Sequence, residues 1–117
     1  MSRIKVSSQG SYFEKDGRSF FLMSDTDWMA FQKLSVEEFE QITALRKHQG
    51  FNAMQISVLP VTHDNAVSNR DMHPFHVVEG KYQFDRINEE YFDKASAMLE
   101  VMKKYEMIPF LHLFWCN

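Results

Sequence analysis

Cysteine occurs once in this chain, at Cys116, so no internal disulfide can staple it, and a reducing compartment fits. No apolar run approaches the ~18–20 residues that cross a bilayer as a helix. The opening stretch MSRIKVSSQG has no apolar h-region. No secretory signal is visible, and the chain reads as cytoplasmic, or as secreted if a signal has been trimmed. Basic charge is not in excess: 13 Lys and Arg against 16 Asp and Glu give a net charge of −3, which offers nucleic acid no electrostatic footprint. G-x-G-x-x-G and G-x-x-x-x-G-K-[ST] are both missing, so a nucleotide cofactor has no support. Glycine and proline are scarce, four and three, so each one punctuates something. What remains is an ordinary globular composition, 44% apolar, 25% charged and 15% aromatic over 117 residues, for which one domain is the expectation.

The residues that are present alternate between two periodicities. Within SYFEKDGRSFFLM, residues 11–23, Asp16-Gly17 sits between two strand-like runs, Ser11–Glu14 and Ser19–Met23. Asp-Gly in a two-residue loop predicts a type I′ hairpin, because both positions need positive φ. The second run is apolar on both faces, which predicts a strand buried on both sides. Ser35-x-x-Glu38 is a capping box, followed by an apolar stripe of Val36, Phe39, Ile42 and Leu45 at helical spacing. Acidic residues lie in its first turn and Arg46, Lys47 and His48 in its last, which suits the helix dipole, and Gly50 is the left-handed stop. FNAMQISVL, residues 51–59, predicts a second buried strand ended by Pro60. The polar segment 61–87 is long enough to be functional or an insertion, with a small hairpin expected around Glu79-Gly80. Residues 88–105 predict a helix with Asn88 as N-cap, and 108–114 a third buried strand.

Strands alternating with helices imply parallel βαβ units. Three strands with two crossover helices read as half of an open doubly wound sheet or as the first three units of a (β/α)8 barrel. Residues 1–18 would then be an N-terminal β-hairpin region and 19–117 the first βα units. No helix follows the third strand, and a parallel sheet needs both faces covered, so the barrel would be incomplete.

In either architecture, chemistry gathers at the C-terminal edge of the strands. That edge receives Asp25, Asp27 and Trp28, then Thr62, His63 and Asp64, then His112, Trp115 and Asn117. Aromatic faces beside hydrogen-bonding side chains suit sugar rings. Plainer readings stand beside this one. Asp25 and Asp27 also suit Asx caps of the turn, Trp28 suits packing, and His112 suits a satisfied core histidine. Gln55 and Ser57 also suit local backbone partners. His63, Asp64, His73 and His76 share one loop near His112, but without H-E-x-x-H spacing or paired cysteines a metal site is not assigned.

The run from Gly10-Ser11-Tyr12-Phe13 through Asp16-Gly17 to Asp25-Thr26-x-Trp28 resembles the start of the apiosidase-like glycoside hydrolases. The resemblance continues through Leu34-Ser35-x-Glu37-Glu38, Lys47-x-x-Gly50-Phe51-Asn52 and Met54-Gln55-Ile56. It resumes at Phe84-Asp85 and Asn88-Glu89-x-Tyr91-Phe92, sparing roughly 61–80. Two departures stand out: Met23-Ser24 occupies the place of a glycine before the Asp, and Glu106 that of a helix-ending glycine, so that cap is expected to use another geometry. The resemblance implies a (β/α)8 barrel that hydrolyses glycosidic bonds of complex polysaccharides with two carboxylates. Those carboxylates are expected on the fourth strand and a later one, so no catalytic residue is assigned in this chain. The substrate-binding candidates are Asp25, Trp28, Gln55, His63, His112 and Trp115, with no cofactor, and the isolated chain is expected to be inactive. The competing reading is a complete, non-catalytic α/β carbohydrate-binding or assembly module that forms a homo-oligomer through its open strand edge.

Overall fold

A computed structural model describes residues 3–61 and 68–113. β1 (Ile4–Val6), β2 (Phe13–Lys15) and β3 (Arg18–Phe20) form an antiparallel sheet in that order. Asp16 and Gly17 join β2 to β3 with φ of 54° and 74°, the left-handed pair a type I′ turn demands.

The apolar run after this turn does not form one buried strand. β3 ends at Phe20, Phe21 is 81% exposed, and a new strand, β4 (Ser24–Thr26), starts in a different sheet. The reason lies in Asn52. Its amide Nδ2 donates to the Phe21 carbonyl (2.7 Å), and its Oδ1 accepts from the Met23 N–H (2.9 Å). The backbone groups that a continuous strand would put into a ladder are satisfied by one side chain, and the chain steps between sheets.

β4, β5 (Ala53–Ser57) and β8 (Ile108–His112) make a parallel sheet in the order β4-β5-β8. α1 (Ala30–Lys33) and α2 (Val36–His48) connect β4 to β5. The antiparallel hairpin of β6 (Phe75–Val78) and β7 (Lys81–Ile87), followed by α3 (Glu89–Lys104), connects β5 to β8. The helices cover one face of the sheet. Phe39, Met54, Ile56, Tyr91, Met98, Met102 and Met107 are buried together there. Met54 and Ile56 alternate with Gln55 and Ser57, so the latter pair points to the opposite face.

The start of α2 carries both bonds of its capping box: Ser35 Oγ accepts from the Glu38 N–H (3.1 Å), and Glu38 Oε2 accepts from the Ser35 N–H (2.8 Å). Asn88 precedes α3 but makes no side-chain cap. Its Nδ2 donates instead to the His73 carbonyl (2.8 Å) and its N–H to the Pro74 carbonyl (2.9 Å), tying the base of the hairpin to the helix. The two long helices end alike. Gly50 has φ 95°, with Phe51 N–H donating to Arg46 O and Gly50 N–H to Lys47 O. Glu106 has φ 53°, with Met107 N–H donating to Met102 O and Glu106 N–H to Lys103 O. Both are Schellman caps, so Glu106 does not use another geometry. It accepts the left-handed conformation that glycine takes at lower cost.

Candidate functional site

The strand register gathers three of the sequence candidates. Gln55 pairs with Phe110 and Ser57 with His112, so Gln55 and His112 are diagonal neighbours on the face turned away from the helices. Gln55 Oε1 and His112 Nε2 are 3.2 Å apart. With the amide oxygen accepting, Nε2 carries the imidazole proton. The Trp28 ring meets the His112 ring edge-on, with centroids 5.0 Å apart and planes at 70°. Trp28 is also held by its backbone: its carbonyl accepts from the Ser57 N–H (3.1 Å). The C-terminal end of β5 is pinned further. Val58 N–H donates to the His112 carbonyl (2.8 Å), and the buried Tyr91 hydroxyl donates to the Val58 carbonyl (2.7 Å). Burial pushes the Tyr91 phenol well above its ordinary range, so it remains a donor. An amide, an imidazole and an indole therefore sit on a rigid strand edge, able to bond hydroxyls and face an apolar ring surface.

Asp25 is not brought to this group. It pairs in register with Met54, on the helix-facing side, and its carboxylate is ion-paired with Arg46 of α2. It fastens β4 to α2. His63 and Trp115 lie outside the described residues, as does Asp64. His73 and His76 are on and beside the hairpin. Among the described residues no three His, Cys, Asp or Glu side chains are placed to hold a metal ion. A cavity of about 460 Å³ bounded by Arg3, Lys15, Lys103 and Ile108 lies at the opposite, N-terminal end of β8, away from His112.

Asp27, which the sequence places at the same strand edge, follows β4 directly. Its N–H donates to the Gln55 carbonyl (2.9 Å), which carries the parallel pairing one residue past β4. Its Oδ2 is buried without a partner among the described residues. Burial raises its pKa, the negative charge of Asp25 raises it further, and Arg46 partly offsets both. The native state therefore holds this proton to a higher pH than the unfolded chain does. Stability is full below the ordinary carboxylate range and is lost as pH rises through the native value. Asp27→Asn is expected to stabilise the protein at pH 7 by less than about 1 kcal/mol after solvent screening, with the gain fading as pH falls through the carboxylate range. Denaturation midpoints from pH 3 to 8 check this. A gain that is constant with pH would mean that shape, and not charge, is responsible.

The fold is shared with solved structures. Three solved structures align with nearly the whole chain. One is titled a glycoside hydrolase (TM-score 0.71, 21% identity, 96% of this chain and 25% of that one). Another is a glycoside hydrolase family 5 protein from Bacteroides vulgatus (TM-score 0.65, 17% identity, 92% and 24%). The third is a glycoside hydrolase family 5 mannosidase from Rhizomucor miehei (TM-score 0.61, 20% identity, 94% and 27%). The chain thus has an α/β fold of the glycoside hydrolase type and spans about a quarter of the length of these proteins. The family is more specific. The model of the apiosidase-like catalytic domain matches residues 7–117, and the chain belongs to that family. No curated protein matches it in sequence.

Proposed function

We propose that this chain is the N-terminal part of a (β/α)8 glycoside hydrolase domain, supplying three of its strands and part of its sugar-binding rim. Trp28, Gln55 and His112 contact the substrate, joined by His63 and Trp115, while the catalytic carboxylates come from strands beyond this chain. The observation that carries this reading is the Trp28, Gln55 and His112 group, assembled on the helix-free face at the C-terminal ends of parallel strands. That face and that end are where such barrels place substrate. Asp25 enters as a positioning residue that locks β4 through Arg46.

A longer protein containing this sequence is expected to release reducing sugar from plant polysaccharides, and the 117-residue chain alone to release none. Equal activity of the two would refute the division of labour. The non-catalytic module retains one observation in its favour. Phe110, Leu111 and Leu113 are exposed at the end of the chain's last described strand, and a second copy would cover them as well as further strands would. A monodisperse oligomer with a cooperative melt and no activity in any longer form would favour it.

A further inference from the structure

Thr26 is the last residue of β4, and its side chain lies on the face turned away from the helices. Side chains alternate along a strand, and the preceding Asp25 reaches Arg46 of α2 on the opposite side. Thr26 pairs in register with Gln55, whose neighbours Met54 and Ile56 are fully buried in the helix-facing core. Trp28, two residues further along, has the same parity as Thr26, and its ring meets His112. Thr26, Gln55 and Trp28 therefore share one side of the sheet and one end of its strands, and Thr26 is exposed there.

The polar groups on this face divide into those already engaged and those still open. Ser24 Oγ donates to the Asp25 carbonyl (3.0 Å), and Ser57 Oγ to the Leu59 carbonyl (2.6 Å). Gln55 Oε1 is taken by His112 Nε2 (3.2 Å). The Gln55 amide nitrogen, with its two N–H donors, has no partner among the described residues, and neither has the Thr26 hydroxyl. The two open groups are register partners on neighbouring strands. Such strands lie ~4.8 Å apart, and one ligand hydroxyl making bonds of ~2.8 Å on either side spans that gap.

We infer that Thr26 is a further substrate-contacting and specificity-determining residue, which holds one sugar hydroxyl jointly with the Gln55 amide. That hydroxyl accepts an N–H from Gln55 and donates its own proton to Thr26 Oγ. It belongs to the sugar unit seated against Trp28 and His112, so the inference rests on the glycoside hydrolase reading above and adds a selectivity to it. A unit deoxygenated at that position leaves the Gln55 donor and the Thr26 acceptor unpaired in a site that substrate has closed to water. A polar requirement of this kind discriminates far more sharply than an added or missing methylene.

The test uses Thr26→Val and Thr26→Ser in the longer protein. Valine keeps the shape of threonine and removes the hydroxyl, whereas serine keeps the hydroxyl and removes the methyl group. Binding is read as retardation in native gels containing galactomannan, xylan or pectin, independently of catalysis, and turnover is read on the same polymers. The inference expects at least one polymer to retard the parent, with retardation weakened in Thr26→Val and restored in Thr26→Ser. For a polymer that is cleaved, it expects Thr26→Val to raise KM about ten-fold with a smaller effect on kcat, and Thr26→Ser to stay close to the parent. Parental retardation and KM in Thr26→Val would overturn the inference and leave the hydrolase reading standing, as would equal losses in the two variants. Retardation that depends on the Thr26 hydroxyl in a protein that cleaves nothing would sink the hydrolase reading and leave the contact standing. A parent that is neither retarded by these polymers nor active on them would overturn both.

Discussion

Phe39→Ala is expected to cost about 3–5 kcal/mol, measured by chemical denaturation, the range for removing a buried aromatic side chain from a core that cannot collapse around the void. The size of the effect follows from how little else holds α2. Its stripe reads Val36, Phe39, Ile42 and Leu45, yet only Phe39 and Thr43 are buried, and Leu45 is 50% exposed. Thr43 spends its hydroxyl on the Phe39 carbonyl (2.8 Å), which leaves Phe39 as the deepest apolar anchor of the helix. Phe39 joins Met54 and Ile56 from the sheet and Met98 and Met102 from α3 in one cluster, so its loss is felt in both layers. Leu45→Ala, from the same stripe, is expected to cost below about 1 kcal/mol, because half of that side chain is already in water. Equal costs at the two positions would mean that the helix seats on the sheet in another rotation.

The same contrast shows how far the sequence could be read. The capping box of α2 and its glycine stop were legible because caps are local: every atom involved lies within a few residues. The Glu79-Gly80 turn was legible for the same reason, with φ of 49° and 74° between Val78 and Lys81. Phe20–Met23 was not legible as a step between two sheets, since the residue that ends the strand there is Asn52, about thirty positions away. Asn52 lies inside the Gly50-Phe51-Asn52 motif, but nothing in the sequence says that its amide replaces a strand ladder. Asp25 shows a related limit. Its position at a strand end is visible, whereas which side of the sheet it faces depends on register, and the sequence offers Arg46 a local partner in the helix dipole as well as the distant carboxylate it pairs with. Glu106 shows the opposite case. A residue poorly suited to a left-handed cap is carried there by Met107, buried in the core next to it, so packing outweighs the local preference.

At the site, Gln55 and His112 are expected to act as a unit. In a longer, active protein, His112→Ala should lower kcat/KM about ten- to hundred-fold, the factor that matches ~1–3 kcal/mol for a lost partner that leaves another polar group unsatisfied. Gln55→Leu should cost a similar amount, because it removes the acceptor that fixes which imidazole nitrogen carries the proton. Two independent contacts would multiply their losses in the double variant. Side chains 3.2 Å apart share one interaction, so the double variant should lose little more than either single one. The rings add a check that a structural role would not produce. The imidazole stands edge-on to Trp28, so Trp28→Phe should preserve part of the aromatic contact and affect KM more than kcat, while His112→Ala affects both. Losses that multiply across Gln55 and His112 would show that the two side chains touch substrate separately, and the orientation of the imidazole would then have to come from another neighbour.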